Sequence, residues 1–448
     1  MGTPPAAPEA RLVGGDDPVV VVGGGVLGLC AAYYLTAAGL PVLVAERRAV
    51  ASGASWGNAG WVCLSHSAPV PGPGIVRYAA RSLGRPESPL YLRPFPDPAF
   101  LGWLWRFWRS SSPARFRRGY AAVAELNRHT FDLFGDLDAA GVDTTLRRLG
   151  MVHAFLSAAE ARHHLEVQKI MAAGRYPVPD HVVTGDDARR LDGSLSAAVR
   201  AAYLVPGEGV VDPGRLVRGL AEVVTKSGGL VHENLAVTGF RCASGSVVGV
   251  QTRDGELACS GVVIAAGIWS GRLLRTLGYP LPLQPGKGYS FSLDLDPAPR
   301  HALYLGDRRI AVSPIGDATR IAGTMELSGD NSRLDWRRIV AIARGSRHYL
   351  GSWFEDPDEL AGLIRDPWVG GRPLLPDGLP VIDRLPHHDN AFLATGHGML
   401  GVTLGPATGK AVADYVTSGH RPPVLTPFQY SRLARQRSLP TLRDVRRW

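Results

Sequence analysis

Three glycines, Gly23, Gly25 and Gly28, stand at G-x-G-x-x-G spacing, and an acid, Glu46, follows 18 residues after the last of them. This pattern suits recognition of a dinucleotide. Gly23 permits a tight turn, Gly25 lets the backbone approach a pyrophosphate, and Gly28 lets helix and strand pack closely. A carboxylate at the position of Glu46 can accept from both hydroxyls of an adenosine ribose. A second stretch, Ala51 to Trp61 (ASGASWGNAGW), is rich in small residues. It can bury little and suits a backbone lying flat against a ligand, offering N–H groups to an anion or a ring. His163 and His164 stand together, but no acid or third ligand accompanies them at metal-binding spacing. Arg47 and Arg48 directly follow the acid and could meet a 2′-phosphate. An NAD(P)-dependent opine or hydroxy-acid dehydrogenase is therefore an alternative.

The elements that must position these residues are partly visible. Val19 to Val22 is a continuous apolar run, as in a strand buried on both faces of a parallel sheet. A helical pattern follows, with Leu27, Cys30, Tyr34, Leu35 and Ala38 near one face and Gly39 as C-cap. Pro41 to Ala45 reads as the next buried strand, which completes a βαβ unit. Gly261 to Gly267 (GVVIAAG) reads as another buried strand and returns the chain to the same domain. Between these, the spacing predicts an aromatic helix over Pro98 to Trp108 and one long amphipathic helix over Gly119 to Ala140. A helix capped by Asp212-Pro213 follows later. Alternating segments near 291–293, 310–314 and 320–324 predict an antiparallel sheet walling a pocket. The expected class is α/β: a Rossmann-like domain interleaved with an α+β second lobe built on that sheet. The expected boundaries are a leader over 1–17, a cofactor domain over 18–68, 205–284 and 370–430, a substrate domain over 69–204 and 285–369, and a basic tail over 431–448.

A chain of 448 residues exceeds one typical domain, and 45% hydrophobic content indicates a globular protein. No run approaches the roughly 18 apolar residues of a membrane span. No Lys or Arg precedes Arg11 and no apolar h-region precedes Val19, so no signal peptide is expected. The four cysteines lack metal spacing and suit a reduced, cytoplasmic protein. Net charge is +9, with arginines concentrated at 106–118 and after Arg432. Without a recognition motif this does not indicate nucleic acid. Weak peripheral contact of the Phe100 to Trp108 aromatics and the basic run with an anionic membrane is one reading; internal packing is the other.

Several segments, in order, resemble the FAD-dependent D-amino acid oxidase and dehydrogenase family, and its bacterial D-amino acid dehydrogenase branch most. They are Gly23 to Gly28 with Glu46, Asn58-Ala59-Gly60, Ala265-Ala266-Gly267, Pro285 to Ser290, Gly370-Gly371-Arg372-Pro373 with Pro376 to Pro380, and Thr395-Gly396-His397-Gly398 through Gly401. The chain departs from the family in its longer leader, in Gly286 and in its Arg-rich tail. It has no Cys beside the late motifs, so non-covalent FAD is implied. The resemblance implies that Val26 and Leu27 begin the helix under the pyrophosphate, that Glu46 holds the ribose, and that Val237 meets the adenine. Arg47, Ser55, Ala265, Gly267 and Trp269 join the same cofactor site. Asn58, Ala59, Gly60 and Trp61 would flank the isoalloxazine. Gly398, Met399, Leu400, Gly401, Val402 and Thr403 would offer N–H groups to the flavin N1–C2=O edge.

Arg372 is implied as the carboxylate anchor, because a planar guanidinium binds a carboxylate through two parallel hydrogen bonds. Tyr289, Tyr304, Arg308 and Arg309 are candidates for its second partner, and His66 and His397 for the pocket lining. Arg372, Tyr289 and His397 form the candidate catalytic set. The implied reaction transfers a hydride from Cα to flavin N5 and gives an imine that hydrolyses to a 2-oxo acid and ammonia. Quinone or O2 would accept the electrons. A cyclic or N-alkyl amino acid is an alternative substrate, and a non-enzymatic FAD-binding or RNA-modifying scaffold an alternative role. Which amino acid is oxidised, and the oligomeric state, stay open.

Overall fold

The computed structural model describes residues 16–434 apart from 76, 78, 80–87, 93–96, 174, 352 and 354–358. The expected leader, save Asp16 and Asp17, and most of the expected basic tail lie outside the described residues.

Two sheets carry the chain. Val19–Val22 is apolar at every position and has no face to give to water, so it takes the interior of a six-stranded sheet. The order is Val381–Arg384, Ala391–Thr395, Gly261–Ile264, Val19–Val22, Val42–Ala45, Leu230–His232. All pairs are parallel except the first, which is antiparallel. On one face pack the helices Val26–Ala37 and Gly401–Ser418. They approach closely, since a Cβ on Gly409 would lie 2.6 Å from Cys30 Cβ. On the other face lies a three-stranded meander, Val237–Ala243, Ser246–Thr252 and Glu256–Ala258.

The second sheet has nine strands. Its main path runs Arg365–Leu374, Gln284–Leu293, Ala318–Leu327, Ile310–Ile315, Ala302–Leu305, Met151–Phe155, Ala201–Val205, Val183–Thr184. Leu90–Leu92 pairs parallel with Ala318–Leu327. One face buries Tyr289, Phe291 and Ile321 against Ile339 and Ile342 of the helix Trp336–Leu350. The other face looks toward the first sheet.

Two expectations are corrected. Residues 119–140 form two helices, Pro113–Leu126 and Thr130–Ala139. The break is at Asn127, which is 1% exposed. Its Nδ2 donates to Cys63 O (3.2 Å) and Ser67 Oγ (2.6 Å), and its Oδ1 accepts from Thr130 Oγ1. Such a buried amide competes with continued helix. The segment from Gly370 belongs to the second sheet, because Arg365–Leu374 pairs antiparallel with Gln284–Leu293 along its length. The cofactor-domain boundary expected at 370 therefore falls inside a strand of the other sheet.

Candidate active site

A cavity of about 400 Å³ opens at the carboxyl end of Val19–Val22. The turn there leaves no room for side chains. Gly23 has φ +119°, and a Cβ on it would lie 2.6 Å from Ala265 O. A Cβ on Gly24 would lie 2.9 Å from Glu46 Cβ. Gly28 works differently: it does not line the cavity, but a Cβ there would sit 1.9 Å from Gly23 O. The helix Val26–Ala37 starts at this turn with no side-chain cap and no acid in its first turn. Its free N–H groups and dipole suit an anion. Val26 N donates to Ser55 Oγ at 3.1 Å. Glu46 is held at the far end by Gly24 N (2.8 Å) and Arg48 N (3.0 Å).

Most residues expected at the cofactor line this cavity: Gly23, Gly25, Val26, Leu27, Glu46, Arg47, Ser55, Asn58, Val237, Ala265, Gly267, Trp269, Gly398, Gly401 and Val402. Arg47 stacks over the Trp269 ring, 3.4 Å from its centroid. His397 also lines it. Its Nε2 bonds Thr408 Oγ1 at 2.9 Å, while its Nδ1 is buried without a partner. Burial lowers its pKa to about 3, so the imidazole is neutral. Arg253 and Arg272 line the cavity too and carry no sequence signal, since they arrive from the meander and a distant helix. A glycine cradle, an uncapped helix start, an acid one strand away and an orphaned buried nitrogen fit a dinucleotide such as FAD.

A second cavity, about 320 Å³, adjoins the first, and Ala54, Asn58 and Gly398 line both. Strand alternation divides the late motif between them. Gly371 and Pro373 line the larger cavity and Arg372 the smaller. The Arg372 guanidinium lies over Gly288, where a Cβ would be 2.2 Å from its nitrogens. Its Nη1 donates to Thr324 O at 2.8 Å. Burial lowers its pKa to about 10, which leaves it cationic at neutral pH. Among the described residues no carboxylate pairs with it. A partly buried cation without a counter-charge, facing a cavity, has the chemistry to bind a carboxylate.

The small-residue loop is pinned between the cavities. Arg320 Nη1 donates to Trp56 O (2.9 Å) and Asn58 O (3.1 Å), and Ser290 Oγ donates to Gly57 O (3.0 Å). Nothing in the sequence singled out Arg320. Ala59, Trp61, Met399, Leu400 and Thr403 line the smaller cavity rather than the larger. Gly60 lines neither. It has φ +75° and packs where a Cβ would meet Val211 O at 2.2 Å. The helix Gly401–Ser418 begins between the cavities without a side-chain cap, so its positive end faces both.

Three expectations fail here. Tyr289 is 1% exposed and lies behind the sheet, with its OH donating to Glu326 Oε2 at 2.8 Å. Gly288 and Ser290, its neighbours along the strand, take the cavity side, so Tyr289 cannot touch a ligand there. Arg308 lines a separate small hollow with Arg344 and His348, and Arg309 lines the smaller of the two adjoining cavities instead. His397 stands on the larger cavity and does not reach the smaller. His66 and Tyr304 do line the smaller cavity. The loop that carries His66 is clamped by Glu208, 2% exposed, which accepts from Leu64 N (2.9 Å) and Ser65 N (3.0 Å). Burial pushes the Glu208 pKa up to about 7. Among the described residues, no cluster of three or more His, Cys, Asp or Glu can hold a metal. No described helix is long and apolar enough to cross a membrane.

The chain is 32% identical over 420 residues to a D-amino acid dehydrogenase of Xanthobacter autotrophicus, covering 91% of this chain and 97% of that one. It is 32% identical over 416 residues to a D-amino acid dehydrogenase of Methylobacterium radiotolerans, with the same coverage of 91% and 97%. Its fold is similar to glycine oxidase from Geobacillus kaustophilus, at TM-score 0.71 and 23% identity, over 95% of this chain and 99% of that one. It is also similar to L-proline dehydrogenase from P. horikoshii, at TM-score 0.70 and 19% identity, over 94% and 98%. The family model described as FAD dependent oxidoreductase matches residues 18–415, from the strand that opens the glycine turn into the last long helix. That match spans both cavities, and the chain belongs to the FAD dependent oxidoreductase family.

Proposed function

We propose that the protein oxidises the Cα–N bond of a D-amino acid, with FAD held non-covalently in the larger cavity and the substrate in the smaller. The observation that carries this is Arg372, a cation with no carboxylate partner among the described residues, on a cavity that adjoins the dinucleotide site. FAD, when bound, supplies a two-electron acceptor for the hydride that leaves the substrate Cα. The protein's own share is positioning. Thr324 O takes one N–H of Arg372, and the rest of the fork is left for the substrate carboxylate. The pinned loop Trp56 to Asn58 closes the side shared with the cofactor cavity. As the hydride leaves, the amine lone pair forms C=N and the nitrogen loses one proton. Water then adds to the imine and gives a 2-oxo acid and ammonia. His66, neutral at a pKa of about 3, is no base for that proton, which passes to water.

The D-series reading rests on the names of the relatives at about one-third identity. The test is an anaerobic screen of flavin bleaching over D-, L-, cyclic and N-methyl amino acids. D-enantiomers or glycine should bleach fastest; bleaching by L-amino acids alone would refute the stereochemistry. No cysteine lines the larger cavity. Acid precipitation should therefore release yellow FAD into the supernatant, and colour kept in the pellet would contradict non-covalent binding. Electrons would pass to a quinone or to O2, which an assay for peroxide separates. A membrane-bound quinone is favoured by one surface: Leu101 and Trp108 are 56% and 57% exposed beside exposed Arg109, Arg115, Arg117 and Arg118. Salt-sensitive pelleting with anionic liposomes, lost on neutralising Arg115, Arg117 and Arg118, would support contact. No pelleting at low salt would dismiss it.

A further inference from the structure

The strand Ala318–Leu327 carries one extra residue where it passes Gly288. Lys287 pairs with Glu326 and Tyr289 with Gly323, so Thr324 and Met325 together stand opposite the single Gly288. This is a β-bulge. Thr324 takes φ +61°, a conformation that β-branched residues rarely adopt. Beyond the bulge the strand changes partner, from Ile310–Ile315 to Leu90–Leu92. The bulge also changes faces. In a regular strand Gly323 and Met325 would share the rear face, and Glu326 would turn to the cavity. Here a Cβ on Gly323 would lie 3.1 Å from Ile342 behind the sheet, Thr324 and Met325 both line the smaller cavity, and Glu326 goes to the rear, where it meets Tyr289. The Arg372 guanidinium crosses over Gly288 toward this same strand and donates to the Thr324 carbonyl.

A buried ionic cluster holds the bulge from behind. Glu326 accepts from Tyr289 OH at 2.8 Å and from Ser328 Oγ at 2.6 Å. Lys287 Nζ lies 3.4 Å from its Oε1, and Arg338 Nε 3.5 Å from its Oε2. All three charged groups are buried. Lys287 Nζ also donates to Asn331 Oδ1 (2.8 Å) and Arg333 O (3.0 Å), and Arg338 lies over the Tyr91 ring, 3.9 Å from its centroid. The Glu326 carboxylate therefore ties the strand to its neighbour Gln284–Leu293 and to the helix Trp336–Leu350. A slip of one residue would undo this in two ways. It would take the carboxylate away from two buried cations. It would also turn that carboxylate to the cavity face, on the strand that Arg372 reaches, where the two would pair and neutralise each other. We propose that Glu326 is a positioning residue for Arg372. By holding the bulge it aims the Thr324 carbonyl at the guanidinium and keeps its own carboxylate off the site, so the rest of the Arg372 fork stays open for the substrate. This rests on the reading of Arg372 as the carboxylate anchor.

The test uses the FAD-loaded enzyme and propanoate, which carries a carboxylate and no amine to oxidise. Calorimetry gives its affinity for wild type, Glu326→Gln, a deletion of Thr324, Arg372→Lys, and Glu326→Gln combined with Arg372→Lys. Glu326→Gln keeps the shape and loses the charge. Deleting Thr324 should leave Lys287 opposite Glu326 and Tyr289 opposite Gly323 while removing the bulge. Each should weaken propanoate at least about ten-fold. The double variant should bind within about two-fold of Arg372→Lys alone, because Glu326 acts through that fork. Visible absorbance should show full flavin in Glu326→Gln. A Glu326 that only stabilised the fold would lower the melting temperature and leave the affinity of the folded enzyme unchanged, which overturns the proposal. Additive losses in the double variant overturn it as well, as does a folded Glu326→Gln that has lost its flavin. If Arg372→Lys leaves the affinity unchanged, the anchor reading and the positioning role fall together. If Arg372→Lys weakens binding while Glu326→Gln and the deletion do not, the anchor stands and the positioning role falls. Where those two variants do not fold, Tyr289→Phe, which removes one hydrogen bond to Glu326 and keeps the ring, should weaken propanoate at least about three-fold. Unchanged affinity in Tyr289→Phe then overturns the proposal.

Discussion

Arg372 matters because it combines charge, a planar fork and, among the described residues, the lack of a counter-ion. Arg372→Lys keeps the charge and loses the fork. A charge-assisted hydrogen bond contributes about 1.5–3 kcal/mol. Losing one, and with it the fixed orientation of Cα, should lower kcat/KM at least about 100-fold. Flavin absorbance and melting temperature should stay near wild type. A normal kcat/KM would place the carboxylate elsewhere, with Arg309 the first residue to examine. Glu46 is the proposed counterpart on the cofactor side, where it lines the larger cavity. It is held by Gly24 N and Arg48 N rather than by a cation, so both its oxygens are already oriented. Glu46→Ala should purify with little flavin and regain it only at high added FAD, read as the ratio of visible to ultraviolet absorbance. Full flavin content in that variant would remove Glu46 from the site.

At the scale of elements, the glycine turn and the Glu208 clamp make opposite kinds of demand. Gly28 is a packing glycine: a methyl there meets Gly23 O at 1.9 Å, and backbone cannot rotate away. Gly28→Ala should cost about 1–3 kcal/mol or more by overpacking and also loosen the pyrophosphate turn. Denaturant unfolding of the FAD-free protein measures the first effect separately from the second. Glu208 instead makes the clamp on the His66 loop sensitive to pH. Its folded pKa of about 7 lies above the ordinary value of 4.5. Between those values the folded state holds the proton and the unfolded state does not. Stability from this group is therefore largest below the unfolded pKa and falls as pH rises toward and past about 7. Wild type should lose melting temperature from about pH 5 to about pH 8 relative to Glu208→Gln. Parallel pH profiles for the two proteins would refute the assignment.

For the whole molecule, the decisive fact is that the larger cavity is walled by both sheets. Gly23 and Ala265 come from the turns of the first sheet, Gly371 and Pro373 from the edge strand of the second. A ligand there ties the two sheets together. FAD at 100 times its dissociation constant should raise folding stability by about 2.7 kcal/mol, and both sheets should share the gain. Hydrogen exchange with and without FAD checks this. Protection gained in Val19–Val22 but not in Gln284–Leu293 would mean that the second sheet does not sense the cofactor.

What the sequence determined by itself was local and main-chain in origin. The buried strand, the glycine turn, the uncapped helix and Glu46 lie within one short span, so spacing alone dictates their geometry. The late arginine motif was legible only through its family resemblance; that Gly371, Arg372 and Pro373 alternate along one strand is a finding of the structure. Tertiary structure decided everything that depends on which face of a strand meets which neighbour. Gln284–Leu293 is buried on both sides, so no polar alternation told Tyr289 from Gly288 and Ser290. Arg308 and Arg309 are adjacent in sequence, and only the left-handed turn at Arg309, φ +51°, sends them to different cavities. The break at Asn127 depends on Cys63 and Ser67, some sixty residues away. The wall of the smaller cavity draws on Trp368, Ala322, Ala311 and Tyr304, which stand on four separate strands of the second sheet, and no single segment contains more than one of them. Such a site exists only through register, which hydrogen bonding between distant strands sets and sequence spacing cannot express.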